Sequence, residues 1–246
     1  MKSLKSIRVL YGMITFVLLL VMQELLVWAA RLIANLIPYQ GIDPYDCFAG
    51  ISIQQAIILI IALLIILVLG KQMNLNFYYQ LGDKKRGIKY LTIFTAVFVV
   101  ISILQHTYMT LTNQLPVYTF PLDGRNIIGT LGFNLLLTGP TEESLFRALP
   151  IILLINSFGN SIKIKGNVTL EVILASILFS FAHVRWSIIP LHFEADYYQL
   201  IYAFAMGTIQ GIVYQKTKSI LYPALMHSIS NVLMVGGGYV FTALFS

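Results

Sequence analysis

The chain has 246 residues, 58% hydrophobic and 11% charged, with a mean hydropathy of +0.81, whereas soluble domains carry about 25% charged residues. Apolar runs recur from end to end and leave no polar block large enough to fold by itself in water, which excludes a soluble protein and indicates one membrane domain over residues 1–246. The net charge of +6 sits in short basic clusters between apolar runs, the pattern of loops facing anionic lipid, and this argues against nucleic acid as a partner.

A helix needs about 20 mostly apolar residues to cross the hydrocarbon core. Seven stretches meet or approach that length, at residues 9–36, 48–70, 88–112, 127–155, 168–186, 198–215 and 219–243. The expected fold is therefore all-α, a polytopic transmembrane helix bundle of about seven spans, within a range of about six to eight. The first stretch follows a basic start like that of a signal peptide. Gln23-Glu24 interrupts it and the run then continues through LLVWAARLIANLI, so an uncleaved first helix is expected. The fourth contains Gly139-Pro140, which predicts a kink or a split into two half-helices and is the source of the higher count. With the N-terminus in the cytoplasm, 12 of the 16 Lys and Arg residues fall in inside segments, while Asp43, Asp46, Asp123, Glu194 and Asp196 fall outside.

Several residues read as structural. Cys47 is the only cysteine, so it forms no internal disulfide, and no Cys/His spacing suggests a structural zinc site. Gly207 and Gly211, four apart, predict a small-residue helix contact, and the glycines at 236–238 a flexible helix end. His106 and His192 are expected to be solvated, Glu24 to be satisfied by another helix, and Trp28 and Trp186 to anchor at the interface.

Ionisable side chains at membrane depth cost several kcal/mol by insertion scales, so they face the bundle interior and mark sites. The segment TGPTEESLFRALP places Glu142, Glu143 and Arg147 in the fourth stretch. The four-residue spacing puts Glu143 and Arg147 on one helical face, acid before base, and predicts a pair. Glu142 is rotated by about 100° and is free to serve as a general base. The fifth stretch carries Phe179 and His183, and the seventh carries His227 and Asn231, each pair at the same spacing. Three helices thus bring two carboxylates, two imidazoles and a carboxamide toward one pocket.

Glu-Glu-x-x-x-Arg, Phe-x-x-x-His and His-x-x-x-Asn in successive membrane helices resemble the CAAX-processing and bacteriocin-processing (CPBP, Abi) family of intramembrane proteases. Pro140 before the acid pair and the stretch from Phe204 through Gly207 and Gly211 into a short basic turn are also similar, whereas Ala148 departs from the glycine many members carry after the arginine. The resemblance divides the chain into variable N-terminal helices (1–125) and a catalytic helical core (126–240). It implies that Glu142 activates water, that His183 holds the water or a metal with it, and that His227 and Asn231 stabilise the oxyanion. Glu143 and Arg147 would support them. Glu142, His183 and His227 would also supply three ligands to Zn2+ or another divalent metal, and a metal-free glutamate mechanism needs the same residues.

The expected function is hydrolysis of a peptide bond in or near the bilayer, serving peptide processing or bacteriocin self-immunity. The partners are lipid and a membrane-associated peptide or protein, such as a bacteriocin or its receptor, in the plasma membrane of a bacterium. The alternatives are a non-catalytic immunity protein that acts by binding and a small proton-coupled transporter; no internal repeat supports the latter. No His-Glu-x-x-His motif occurs, no aspartate lies in an apolar stretch, and Gly-Ile-Ser at Gly50 lacks the small residue that would follow a nucleophilic serine.

Overall fold

The apolar runs fold as helices. The computed structural model describes residues 2–187 and 192–245, with seven helices and two short hairpins among them. The helices are α1 (Lys2–Ala34), α2 (Ala49–Met73), α3 (Lys84–Leu111), α4 (residues 124–158), α5 (Leu170–Phe181), α6 (Tyr197–Thr217) and α7 (Leu221–Phe245). Strands β1 (Lys163–Lys165) and β2 (Val168–Thr169) join α4 to α5, and β3 (Arg185–Ser187) and β4 (His192–Glu194) join α5 to α6; each pair is antiparallel. Among the described residues, four helices are long and apolar enough to cross a membrane: α1, α2, α3 and α7. Helix α5, with 12 residues, rises only about 18 Å, less than the roughly 30 Å hydrocarbon core.

The burial pattern is that of a protein solvated by lipid. Leu18, Trp28, Leu64, Leu67 and Leu104 face outward, while Gln23, Glu143, Arg147, Glu171 and Gln210 are buried. Helix α4 is the axis, in contact with α1, α2, α5, α6 and α7, and α3 packs on α7 and α6. Leu145, Leu149 and Ile151 of α4 sit in one core with Leu26 and Ala30 of α1, Ile58 and Ala62 of α2, and Ala175 of α5.

Gly139-Pro140 does not split α4. The helix runs from Gly124–Phe133 through a π-helical turn (Asn134–Thr138), an α-helical Gly139–Glu143, a second π turn (Ser144–Ala148) and Leu149–Phe158. Each π turn directly precedes a proline-bearing segment, Pro140 in one and Pro150 in the other. Proline lacks an N–H and its ring crowds the carbonyl four residues back; a wider turn relieves that crowding and lets the helix continue.

The small residues in α6 behave as their spacing predicts. A Cβ at Gly207 would lie 3.1 Å from Ser176 Oγ, and one at Gly211 2.9 Å from Val172, so both glycines admit α5 at close range. The glycines at 236–238 do not end a helix, because α7 continues to Phe245. They are a packing surface instead, with Gly237 against His106 and Ser102 of α3. His106 is accordingly buried rather than solvated; its Nδ1 lies 2.7 Å from the Ser102 carbonyl, and its ring packs against Phe241. His192 is exposed, as expected.

The loop between α1 and α2 is organised by Asp43, whose Oδ2 accepts from the backbone N–H groups of Phe48 and Ala49, each at 2.7 Å, at the start of α2. Burial pushes this carboxyl up, but those two donors, with the Cys47 backbone and thiol, outweigh it and hold the group below the usual carboxylate range. A lowered folded value contributes stability that is present above the unfolded pKa of about 3.9 and is lost as pH falls through the folded one. Asp43→Asn is expected to cost about 1 kcal/mol and to remove this contribution to acid sensitivity, measured by thermal unfolding in detergent from neutral to acidic pH.

Candidate active site

The acid pair lies at the middle of α4, where the chain passes from Glu143 into the second π turn. Leu149 N bonds to Ser144 O in that turn, so Leu145 O loses its usual donor, and Phe146 O loses its own because residue 150 is proline. Both carbonyls are met by side chains. Gln23 of α1 donates to Leu145 O at 2.8 Å, and Arg147 Nη1 approaches Phe146 O at 3.4 Å. The widened turn thus creates acceptors that tie α1 and the arginine to the centre of the bundle.

Glu143 and Arg147 are both completely buried and pair as their spacing predicts, with Nε 3.3 Å from Oε2. The contact is one of charge rather than an aligned hydrogen bond, since neither atom has a hydrogen-bond partner among the described residues. Arg147 Nη2 donates to Gln210 Oε1 of α6 at 2.9 Å, and the guanidinium carbon lies 4.1 Å from the centre of the Phe179 ring. Glu143 does more than pair with Arg147, because its Oε1 is 2.9 Å from Nδ1 of His227 on α7.

Glu142 turns the other way, as expected from its rotation. Its Oε1 accepts from Gln55 Nε2 of α2 at 3.2 Å, and its Oε2 lies 3.5 Å from His227 Nε2. His227 therefore stands between the two carboxylates, one at each ring nitrogen. Helix α5 ends at Phe181, short of the expected 186, so His183 occupies a turn beyond the helix rather than its face. The turn keeps it in place, with Nδ1 2.9 Å from the Phe179 carbonyl and the ring edge-on to Phe179. A carbonyl only accepts, so Nδ1 carries the hydrogen and Nε2 is left for other partners.

Glu142, His183, His227 and Asn231 line one cavity of about 170 Å³, with Tyr202 and Gln210 among its other walls. At His183 and Gln199 it meets a wider crevice of about 1350 Å³ between α1 and the β3–β4 hairpin. Glu24 sits in that crevice, and its partner is the indole N–H of Trp186 on β3 at 3.1 Å rather than a neighbouring helix. The metal expectation fares differently. Among the described residues no group of three His, Cys, Asp or Glu is placed to hold a metal ion, and both nitrogens of His227 face carboxylates. Glu142, His183 and His227 line one cavity, without forming such a group of three among the described residues.

Residues 124–233 match the family model described as Rce1-like, type II CAAX prenyl endopeptidase Rce1-like. This stretch is Rce1-like. It includes all six expected site residues, from Glu142 to Asn231, and agrees with the resemblance carried by the three motifs. The stretch is thus similar to a family of intramembrane proteases, and the four long apolar helices among the described residues fit a membrane protein. No curated protein and no solved structure matches the chain.

Gly139 sets the distance between the Rce1-like motifs on α4 and α7. A Cβ there would lie 2.2 Å from the Ala224 carbonyl oxygen and 2.4 Å from Ser228 Oγ, next in the chain to His227. Gly139→Ala is expected to push the helices apart and lengthen the Glu143–His227 contact. A shift of about 1 Å in a reacting group costs on the order of 100-fold in rate, to be checked by cleavage assay alongside thermal unfolding.

Proposed function

We propose that the chain is an intramembrane endopeptidase that hydrolyses a peptide bond with a water activated by Glu142. The observation that carries this reading is the placement of Glu142 on the cavity wall, held by Gln55 and facing His227, beside an imidazole whose free nitrogen lines the same space.

A substrate peptide reaches the cavity through the crevice, and Glu142 with His183 Nε2 orients a water against its carbonyl carbon. Glu142 Oε2 accepts the water's proton as the new C–O bond forms. Protonation neutralises that carboxylate and loosens its hold on His227 Nε2. With hydrogen on both ring nitrogens and Glu143 holding Nδ1, His227 donates from Nε2 to the developing oxyanion, together with the Asn231 amide. The tetrahedral species collapses, the C–N bond breaks, and the proton on Glu142 passes to the leaving amine. Glu143 and Arg147 keep His227 in position throughout. No step requires a metal.

The biological setting we propose is a bacterial plasma membrane, with the N-terminus cytoplasmic, about seven spans, and a membrane-associated peptide, a bacteriocin among the candidates, as substrate. The test is incubation of the protein in lipid nanodiscs with a panel of farnesylated C-terminal peptides and bacteriocins, with products identified by mass spectrometry. Defined cleavage that is lost in His183→Ala and Asn231→Ala supports the reading. Binding of a bacteriocin without cleavage, unchanged in both variants, makes the chain an immunity protein that acts by binding.

A further inference from the structure

Gln210 stands outside the three sequence motifs. It is completely buried on α6, and its Oε1 accepts from Arg147 Nη2 at 2.9 Å. A guanidinium has donors only, so this contact fixes which way round the amide sits: the oxygen faces Arg147 and the nitrogen faces away. That nitrogen, Nε2, has no hydrogen-bond partner among the described residues. Gln210 is among the residues that line the cavity shared by Glu142, His183, His227 and Asn231. A buried N–H without an acceptor is costly, and inside a reaction cavity it marks a position where an acceptor arrives with the ligand.

We propose that Gln210 is a further catalytic residue, whose Nε2–H donates to the carbonyl oxygen of the scissile peptide and to the oxyanion it becomes. The proposal rests on the proteolytic reading above. At about 170 Å³ the cavity has room for a peptide group and its attacking water, given roughly 30 Å³ for each water in the liquid. A carbonyl seated there beside Glu142 is the one the proposal assigns to Gln210. When the water oxygen bonds to that carbon, the C=O π pair moves onto oxygen, and Gln210 meets the charge with an N–H already oriented by Arg147. Arg147 thereby serves twice, since it both neutralises Glu143 and aims this amide.

The test uses the full chain in nanodiscs with whichever panel peptide the wild type cleaves, and with a peptidyl phosphonate whose tetrahedral oxygens stand for the oxyanion. Gln210→Glu keeps an acceptor for Arg147 but removes the cavity donor, and Gln210→Met removes both at similar volume. The proposal predicts that both variants lose roughly 100-fold in kcat, the scale for one oxyanion donor, with KM nearly unchanged. It also predicts that phosphonate affinity falls in step with kcat, and that Gln210→Glu keeps the wild-type melting temperature.

A purely structural Gln210 gives a different pattern. Gln210→Glu then cleaves and binds phosphonate like the wild type, and Gln210→Met loses stability and activity together; that result overturns the proposal. If the wild type shows no Glu142-dependent cleavage of any panel peptide, the proteolytic reading itself fails and takes the proposal with it.

Discussion

Arg147→Met is expected to destabilise the protein by about 3–5 kcal/mol, the range for removing one partner of a buried ion pair. The guanidinium is completely buried and joins Glu143 to Gln210 and the Phe146 carbonyl while stacking on Phe179. Without it, Glu143 is a completely buried carboxylate left with His227, at 2.9 Å, as its remaining polar partner. The measurement is the melting temperature and folded yield in detergent. Arg147→Lys should rescue little, because a single ammonium cannot reproduce a planar fork that meets three partners at once. Adding Glu143→Gln to Arg147→Met should restore part of the stability while leaving activity low, since Glu143 also holds His227 at 2.9 Å. A wild-type melting temperature for Arg147→Met would mean that the buried pair contributes nothing net to the fold.

Glu142→Gln is expected to reduce cleavage by about 10²–10⁴-fold, the contribution of a positioned general base, with no loss of folded protein. The carboxylate is partly exposed to the cavity and its hydrogen-bond partner is Gln55. The amide is the same shape and its oxygen still accepts from Gln55, so stability should hold while proton abstraction fails. Loss of rate with an unchanged melting temperature separates this role from that of Arg147, where the two should fall together.

Much of the bundle can be read from the sequence because lipid imposes a simple code: long apolar runs become helices, and polar groups among them turn inward. That code locates the seven helices among the described residues, four of them long and apolar enough to cross a membrane, and the Glu143–Arg147 pair. It failed where local backbone chemistry decided the outcome. Gly139-Pro140 predicts a kink or a split, but the chain carries α4 past both prolines without splitting, through a π turn ahead of each, and hydrogen-bond register has no signature in hydropathy. Glycines 236–238 look like a flexible end because composition does not reveal that His106 fills the space beside them.

The supporting residues of the site were missed for a different reason. Ionisable side chains single out Glu142 but not Gln23, Gln55 or Gln210, although an uncharged amide in an apolar run carries the same message of a partner inside the bundle. Glu171 also escaped notice, hidden near the start of its helix. It is completely buried and accepts from Ser161, from Ile162 N at 3.2 Å and from Gln215 Nε2 at 2.7 Å, binding the β1–β2 hairpin to α6. Its partners are up to 44 residues away in the chain, a pairing that no local pattern encodes.

The most direct test of hydrolysis at this site is to map peptide termini by mass spectrometry in membranes from cells producing wild type or Glu142→Gln at matched abundance, with and without added bacteriocins. New termini that appear with the wild type and are missing with the variant are the expected result. Identical termini in the two membranes would contradict it, and would leave TEESLFR as a packed ion pair in a protein that works by binding.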